Sequence, residues 1–342
     1  FLGSIYVLLW VGIVPASLLL GPVYRAVSPA RTISRLFARL SGAPADQGLF
    51  RLPDWVGYWP AALGLLSFVW LELVYPQSTS VGAVRLWCAI YLGIMLIGSA
   101  MFGGRFLAAA DPFEVYSELV GKLSVWGRRD GRLVIRSPLA NLATVDVRPG
   151  LVAVVAVLFG STAFDSFRES PQWLEYVQSI ATHRFGPDTL ALLAFCGGVL
   201  LILTAATMAT GVDASTSRRV LPRLFAHSIV PIIVGYMVAH YLSYFVQQGQ
   251  DTLIRLSDPL GTGADLLGTA DLQVNYWLQR HPTLLATIKV LAVVTGHVLG
   301  AIAAHDRAIR LLPARHQLTG QLPLLFAMVV FTGGGLYLLF AT

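Results

Sequence analysis

Four ionisable residues of this 342-residue chain, Glu72, Asp165, His240 and Lys289, each interrupt a run of sequence that otherwise reads as lipid-soluble. A charged group at bilayer depth costs about 3 kcal/mol on insertion scales, so such groups face a bundle interior and mark a binding site or an ion pathway. With a helical rise of about 1.5 Å per residue, Glu72 and Asp165 fall roughly 22 Å from the inner ends of their segments, and His240 and Lys289 within roughly one turn of that level. In "AHSIVPIIVGYMVAHYLSYFVQQGQ", Tyr236, His240, Ser243, Tyr244 and Gln247 recur every three or four residues and form one stripe on a helix. The expected site is therefore an outer-side pocket, with Tyr236, His240 and Tyr244 opposite Lys289 and with Glu72 and Asp165 as counter-charges. A histidine beside a carboxylate can pass a proton or hold a metal ion. The plainer alternatives are carboxylates that reach interfacial water, a lysine that snorkels outward and a histidine that makes one structural hydrogen bond.

A second group lies toward the inner side. His227 and His297 fall at comparable depth on neighbouring segments, an arrangement that suits one haem b held by two axial imidazoles. His227 and His240 are roughly 140° apart around a 3.6-residue helix, so a stack of two haems does not fit. Pro231 cannot donate to the carbonyl of His227, which predicts a kink and a free carbonyl there. His183, His281 and His316 lie in connections. Cys88 and Cys196 read as buried thiols, and no disulfide framework or CxxC metal motif is present. GxSxG, HExxH, GxxxxGK[ST] and Rossmann signatures are also missing, so catalysis would have to use the dispersed membrane groups.

These residues are positioned by apolar segments long enough to cross a hydrocarbon core of roughly 30 Å. Of the residues, 56% are hydrophobic and only 12% charged, a balance that specifies an integral membrane protein. Eight candidate spans run near 2–20, 57–74, 86–102, 150–167, 189–211, 224–246, 284–304 and 322–341. Arginine crowds the odd connections: Arg25, Arg31, Arg35, Arg39 and Arg51 in the first, and Arg218, Arg219 and Arg223 in the fifth, for example. The even connections are richer in acid, including Glu169, Glu175, Asp251, Asp258 and Asp265. By the positive-inside rule the odd connections are cytoplasmic. The expectation is an all-α bundle of about eight transmembrane helices with Phe1 and the C-terminal end both outside. The net charge of +6 is explained by this topology, and without basic runs or a recognition motif it implies no nucleic-acid partner. The first residue is Phe1, so a signal peptide or further segment is expected before it.

The chain reads as one polytopic domain, 1–342, with two long connections. The cytoplasmic one, 104–149, predicts an interfacial helix from Pro112 to Trp126 and a short hairpin turning at Asp130-Gly131. The outer one, 247–283, contains the echo "LGTGADL" and "LGTADL", read as loop punctuation rather than a repeat architecture. In "RAVSPARTISRLFARLSG", Arg31, Arg35 and Arg39 at helical spacing suit either a helix on an anionic inner leaflet or an ordinary positive flank.

The runs "GYWPAALGLLSFVWLELVYP", "DPFEVYSELVGKLSVWGRRDGRLVIRSPLANL" and "AHSIVPIIVGYMVAHYLSYFVQQGQ" resemble an actinobacterial family of multi-spanning membrane proteins commonly labelled fenitrothion hydrolase. The resemblance extends over most of the chain. It implies the bacterial cytoplasmic membrane and hydrolysis of an apolar organophosphate ester, with no motif to assign catalytic residues. The residues themselves favour a broader reading: an outer-leaflet pocket that handles a proton, a metal ion or a small ligand, in the lipid bilayer and as a subunit of a larger membrane complex. A membrane hydrolase, a single-haem redox protein and a secondary transporter are the alternatives, the last without a visible inverted repeat.

Overall fold

The computed structural model describes the whole chain except residues 43, 45, 130, 131, 181–183, 211–216, 314–316, 318, 341 and 342. The expected hairpin turn at Asp130-Gly131, and His183 and His316, lie outside the described residues. All eight apolar segments are helical where described.

The chain opens with a π-helical stretch, Gly3–Val11, followed by α1 (Ile13–Leu20) at a bend of 40°. Gly12 N reaches back to Val7 O, and Pro15 has no N–H to restore the regular ladder. Then come α2 (Tyr24–Val27), α3 (Pro29–Ser41), α4 (Trp59–Leu73), α5 (Val81–Phe102), α6 (Gly104–Ala110) and α7 (Pro112–Gly121). An antiparallel hairpin pairs β1 (Trp126–Arg129) with β2 (Arg132–Ile135), and α8 (Pro138–Leu142) follows. The second half contains α9 (Leu151–Phe167), α10 (Pro171–Ser179), α11 (Phe185–Met208), α12 (Leu221–Phe225), α13 (Val230–Leu256), α14 (Pro282–Leu311) and α15 (Leu322–Phe340).

Among the described residues five helical stretches are long and apolar enough to cross a bilayer, or up to seven if each of two bent pairs is one span. The bent pairs are Gly3–Val11 with α1, and α9 with α10, the latter at 75°. The chain is thus an all-helical, multi-pass membrane protein. Trp59–Leu73 is apolar but, at 15 residues, reaches only about 22 Å.

The central element is α9. Valine-rich and apolar on every side, it has no face suited to water, and each residue from Leu151 to Ser166 is buried. It packs against α4, α11, α13 and α15. Where it meets α11, a side chain at Gly160 would run into the backbone of Cys196, so that buried cysteine marks a close helix crossing. The tightest pair is α13 with α14: a side chain at Gly296 would collide with Pro231 O, and one at Gly300 with Ser228 O.

Contacts sort the connections onto two ends of the bundle. At one end Tyr6 OH donates to Ser78 O (2.8 Å) and Trp70 Nε1 to Thr189 Oγ1 (3.1 Å). At the other, Trp126 Nε1 donates to Leu19 O (2.6 Å), Tyr58 N to Pro149 O (2.7 Å) and an Arg307 amino group to Ala143 O (3.2 Å).

Three local expectations are corrected. The helix expected over Pro112 to Trp126 stops at Gly121, and instead of lying on an interface it is buried among α1, α2 and α4. Burial is tolerated because Glu114 receives Arg31: Nε is 3.0 Å from Oε2, and a terminal nitrogen is 2.6 Å from Oε1. Arg31 consequently leaves the surface row, whereas Arg35 and Arg39 remain exposed beside the exposed apolar face of Leu36, Phe37 and Leu40. Finally, Pro231 does not leave the carbonyl of His227 free. A 3-10 turn over Ala226–Ile229 precedes α13, and Val230 N closes onto His227 O. Pro231 then sits in the first turn of α13, where its missing N–H costs nothing.

Candidate functional site

The end of α9 carries a connected set of polar side chains. Asp165 Oδ2 lies 3.0 Å from His240 Nε2 and accepts from Tyr241 OH at 2.9 Å, while Arg168 Nε is 3.2 Å from Oδ1. On the other side of the imidazole, Nδ1 is 3.0 Å from Ser166 Oγ, which is 2.7 Å from Tyr236 OH. An ionised carboxylate only accepts, so the hydrogen of this contact lies on Nε2 of His240. The contacts thus run in series from Tyr236 through Ser166 and His240 to Asp165, and Ser166 Oγ is also 3.3 Å from Thr162 O. Asp165, His240 and Arg168 have side chains only 11%, 13% and 29% exposed, and Asp165 is hydrogen-bonded to His240 and Tyr241 and ion-paired with Arg168. That is how a carboxylate is held in an apolar bundle.

Local sequence explains the placement. Asp165 and Ser166 sit in the last turn of α9 and Arg168 caps its C-terminus, where a cation is favoured by the helix dipole; Arg168 also donates to Leu73 O. Tyr236 and His240 are one turn apart on α13. Tyr236 is wedged between Phe159, with ring centroids 5.7 Å apart, and Gly335, where a side chain would press on its ring at 3.2 Å.

Glu72, in the last turn of α4, lies within electrostatic reach of Asp165 and Arg168. Its Oε2 is shielded from solvent and has no hydrogen-bond partner among the described residues. Glu72 also lines a cavity of about 580 Å³ whose other charged walls are Arg168, Glu169, Arg184 and Asp188. Arg184 is 3.4 Å from Asp188, which also accepts from Trp173 Nε1 at 2.9 Å. With Arg168 committed to Asp165 and Arg184 to Asp188, Glu72 and Glu169 are the carboxylates of this cavity without an ion-pair partner among the described residues.

Of the six residues expected to share a pocket, Asp165, His240 and Tyr236 are joined by hydrogen bonds, and Glu72 adjoins them. Tyr244 is outside this series of bonds among the described residues: it is 39% exposed, in ring contact with Tyr241 at 6.4 Å between centroids, and within electrostatic reach of Glu72 and Asp165. Lys289 is partly exposed on α14, and among the described residues no carboxylate comes within ion-pair distance of it. Tyr241, Ser166 and Arg168 are the members that the stripe on α13 did not reveal.

His227 and His297 each make a contact of their own. His227 Nδ1 is 3.0 Å from Leu224 O within its own turn, and His297 Nδ1 is 2.9 Å from Thr332 Oγ1 on α15. His227 also lies within reach of the Ala303 backbone on α14, the helix that carries His297. No group of three His, Cys, Asp or Glu side chains suited to a metal ion occurs among the described residues, so His240 stands with a single carboxylate rather than in a ligand set.

Distances alone make Ser166, His240 and Asp165 resemble a hydrolytic triad. The surroundings differ from one. Ser166 is 1% exposed, lies in the last turn of a helix whose amides are already bonded, and is not among the residues lining the cavity. A nucleophile needs room for a carbonyl or phosphoryl group and donors for its developing charge.

Comparison with protein-family models, with curated proteins and with solved structures gives no match for this chain, and the site is read from its own geometry.

Proposed function

We propose that this chain is a multi-pass protein of the bacterial cytoplasmic membrane whose outer polar centre takes up and releases a proton or small cation at Glu72. The observation that carries the reading is the Glu72 carboxyl, one oxygen of which is shielded and without a partner, on the wall of an aqueous-sized cavity with more carboxylates than guanidiniums. An unpaired carboxylate in such a place is costly, and a bound proton or cation removes the cost. The bonded series from Asp165 through His240 and Ser166 to Tyr236 extends inward from the same place and can shift hydrogens from one heavy atom to the next.

The sidedness belongs to this proposal. Eight crossings, with Phe1 and the C-terminal end outside, account for the arginine-rich connections meeting at one end of the bundle and the acidic ones at the other. Cysteines placed at Arg280 and Arg219 in a chain lacking Cys88 and Cys196 should be labelled by an impermeant maleimide from opposite sides; labelling from one side would refute the count. Exposed Leu260, Leu266, Leu267, Leu272 and Trp277 in the outer connection support membership in a larger assembly, since such an apolar patch is normally covered.

The functional test is proton movement in vesicles containing the reconstituted protein and a trapped pH dye. An external acid step should produce a protein-dependent response that Glu72→Gln reduces about tenfold and Glu169→Gln leaves near wild type. An unchanged Glu72→Gln response defeats the proposal.

A second reading, hydrolysis of an apolar ester, rests on the resemblance to the fenitrothion hydrolase family and on the Ser166, His240, Asp165 contacts. A turnover assay on an organophosphate triester with Ser166→Ala decides it: this reading requires loss of turnover.

A further inference from the structure

A separate cavity of about 250 Å³ lies at the opposite end of the bundle, between α8, the Ala226–Ile229 turn and the end of α14. Its walls include Ser137, Ala143, His227, Asp306, Arg307 and Arg310. His227 is 3% exposed and forms the buried side, its Nδ1 already directed at Leu224 O. Arg307 is partly buried and spends one N–H on Ala143 O, at 3.2 Å. Among the described residues no carboxylate lies within ion-pair distance of Arg307 or Arg310, although Asp306 stands beside them. Two guanidiniums one helical turn apart repel each other, and a half-buried one without an anion is costly.

We propose that this cavity binds the phosphate of an anionic phospholipid. Guanidinium forks match phosphate oxygens in pairs, and an anion here offsets both the mutual repulsion and the desolvation of Arg307. The choice of a lipid over a free phosphate comes from α14 itself. Val298, Ile302, Asp306 and Arg310 follow one another at intervals of four, so they form one stripe along the helix. Val298 and Ile302 are 48% and 41% exposed. An open apolar flank therefore leads straight to the charged cavity, with space for an acyl chain below a headgroup. Charge appears on the stripe where the apolar run ends, which is the level of lipid headgroups.

The test uses the whole protein, purified in detergent and exchanged into phosphatidylcholine nanodiscs with or without phosphatidylglycerol. Native mass spectrometry should show phosphatidylglycerol retained over phosphatidylcholine, and thermal unfolding should move upward with phosphatidylglycerol. Arg307→Gln with Arg310→Gln should weaken retention about tenfold, equivalent to about 1.4 kcal/mol. Arg310→Gln alone, at an exposed position, guards against misfolding and should show part of the loss, while Arg255→Gln with Arg280→Gln, exposed in another connection, should show none. Inorganic phosphate that stabilises the lipid-free protein as well as phosphatidylglycerol does would overturn the lipid assignment in favour of a free anion. Retention unaltered in the double variant would overturn the site itself.

Discussion

His240 Nε2 and Asp165 Oδ2 are 3.0 Å apart, joining α13 to the end of α9 inside the bundle. Asp165 also holds Tyr241 and Arg168, so the two residues are not equivalent. His240→Ala should lower stability by about 1–2 kcal/mol, the range for one buried hydrogen-bonded group in a membrane protein. Asp165→Asn should cost more, about 2–4 kcal/mol, because it removes the charge facing Arg168; partial exposure of Arg168 keeps the loss below that of a fully buried pair. Thermal unfolding in detergent checks the order, and a larger loss for His240→Ala contradicts it.

The crossing of α13 and α14 depends on missing side chains. Gly296→Val should destabilise the protein by about 1–3 kcal/mol, since the new methyls meet Pro231 O and the backbones must part. Gly333→Ala on α15 is the contrast, because no atom lies within 4 Å of the added Cβ. Equal melting temperatures for the two variants would mean that this crossing is looser than described.

Breaking the buried Arg31 and Glu114 pair should be worse than deleting it. Glu114→Leu alone strands a guanidinium that is 5% exposed, with an expected cost of about 3–5 kcal/mol. Combining it with Arg31→Met should recover most of that loss in the same unfolding assay. A double variant as unstable as the single one would show that the pair supplies more than mutual neutralisation.

The echo in the 247–283 connection has a structural cause that bears on pH. Asp258 accepts from Thr262 N (2.9 Å) and Gly263 N (2.7 Å), and Asp265 accepts from Thr269 N (2.9 Å) and Ala270 N (3.1 Å). "DPLGTG" and "DLLGTA" are thus two copies of one aspartate-closed loop, with Gly261 and Gly268 at φ of 68° and 66° in matching positions. Amide donors hold Asp258 below the ordinary carboxylate range, and the Ser257 hydroxyl with the amides does so for Asp265. A depressed folded-state pKa contributes stability above the unfolded value of about 3.9 and loses it as pH falls through the folded value. Hydrogen exchange of Thr262, Gly263, Thr269 and Ala270 amides should therefore stay slow at neutral pH and accelerate only in strong acid. Acceleration already near neutrality contradicts the assignment. Asp258→Asn should release the first loop and leave the second.

Helix positions were legible because long apolar runs have few other solutions in a membrane protein. The meeting of Asp165 with His240 was legible as a shared depth. Which face of α13 meets α9 was not: Tyr241, one position beyond His240, takes the place expected for Tyr244, because the rotation of a helix about its axis depends on neighbours that periodicity does not identify. Glu114 escaped notice for a similar reason, since burial of α7 was invisible until its partner Arg31 could be seen across 83 residues of chain. Lys289 shows the converse: equal depth brought it to the level of the site but not to its side.

The central claim concerns Glu72, and infrared difference spectroscopy of the reconstituted protein tests it most directly. An external acid step should produce a carboxyl C=O band that is missing in Glu72→Gln, retained in Glu169→Gln and shifted in frequency in Asp165→Asn, its charged neighbour. A band retained at full intensity in Glu72→Gln, or no carboxyl band in the wild-type protein, would contradict the account.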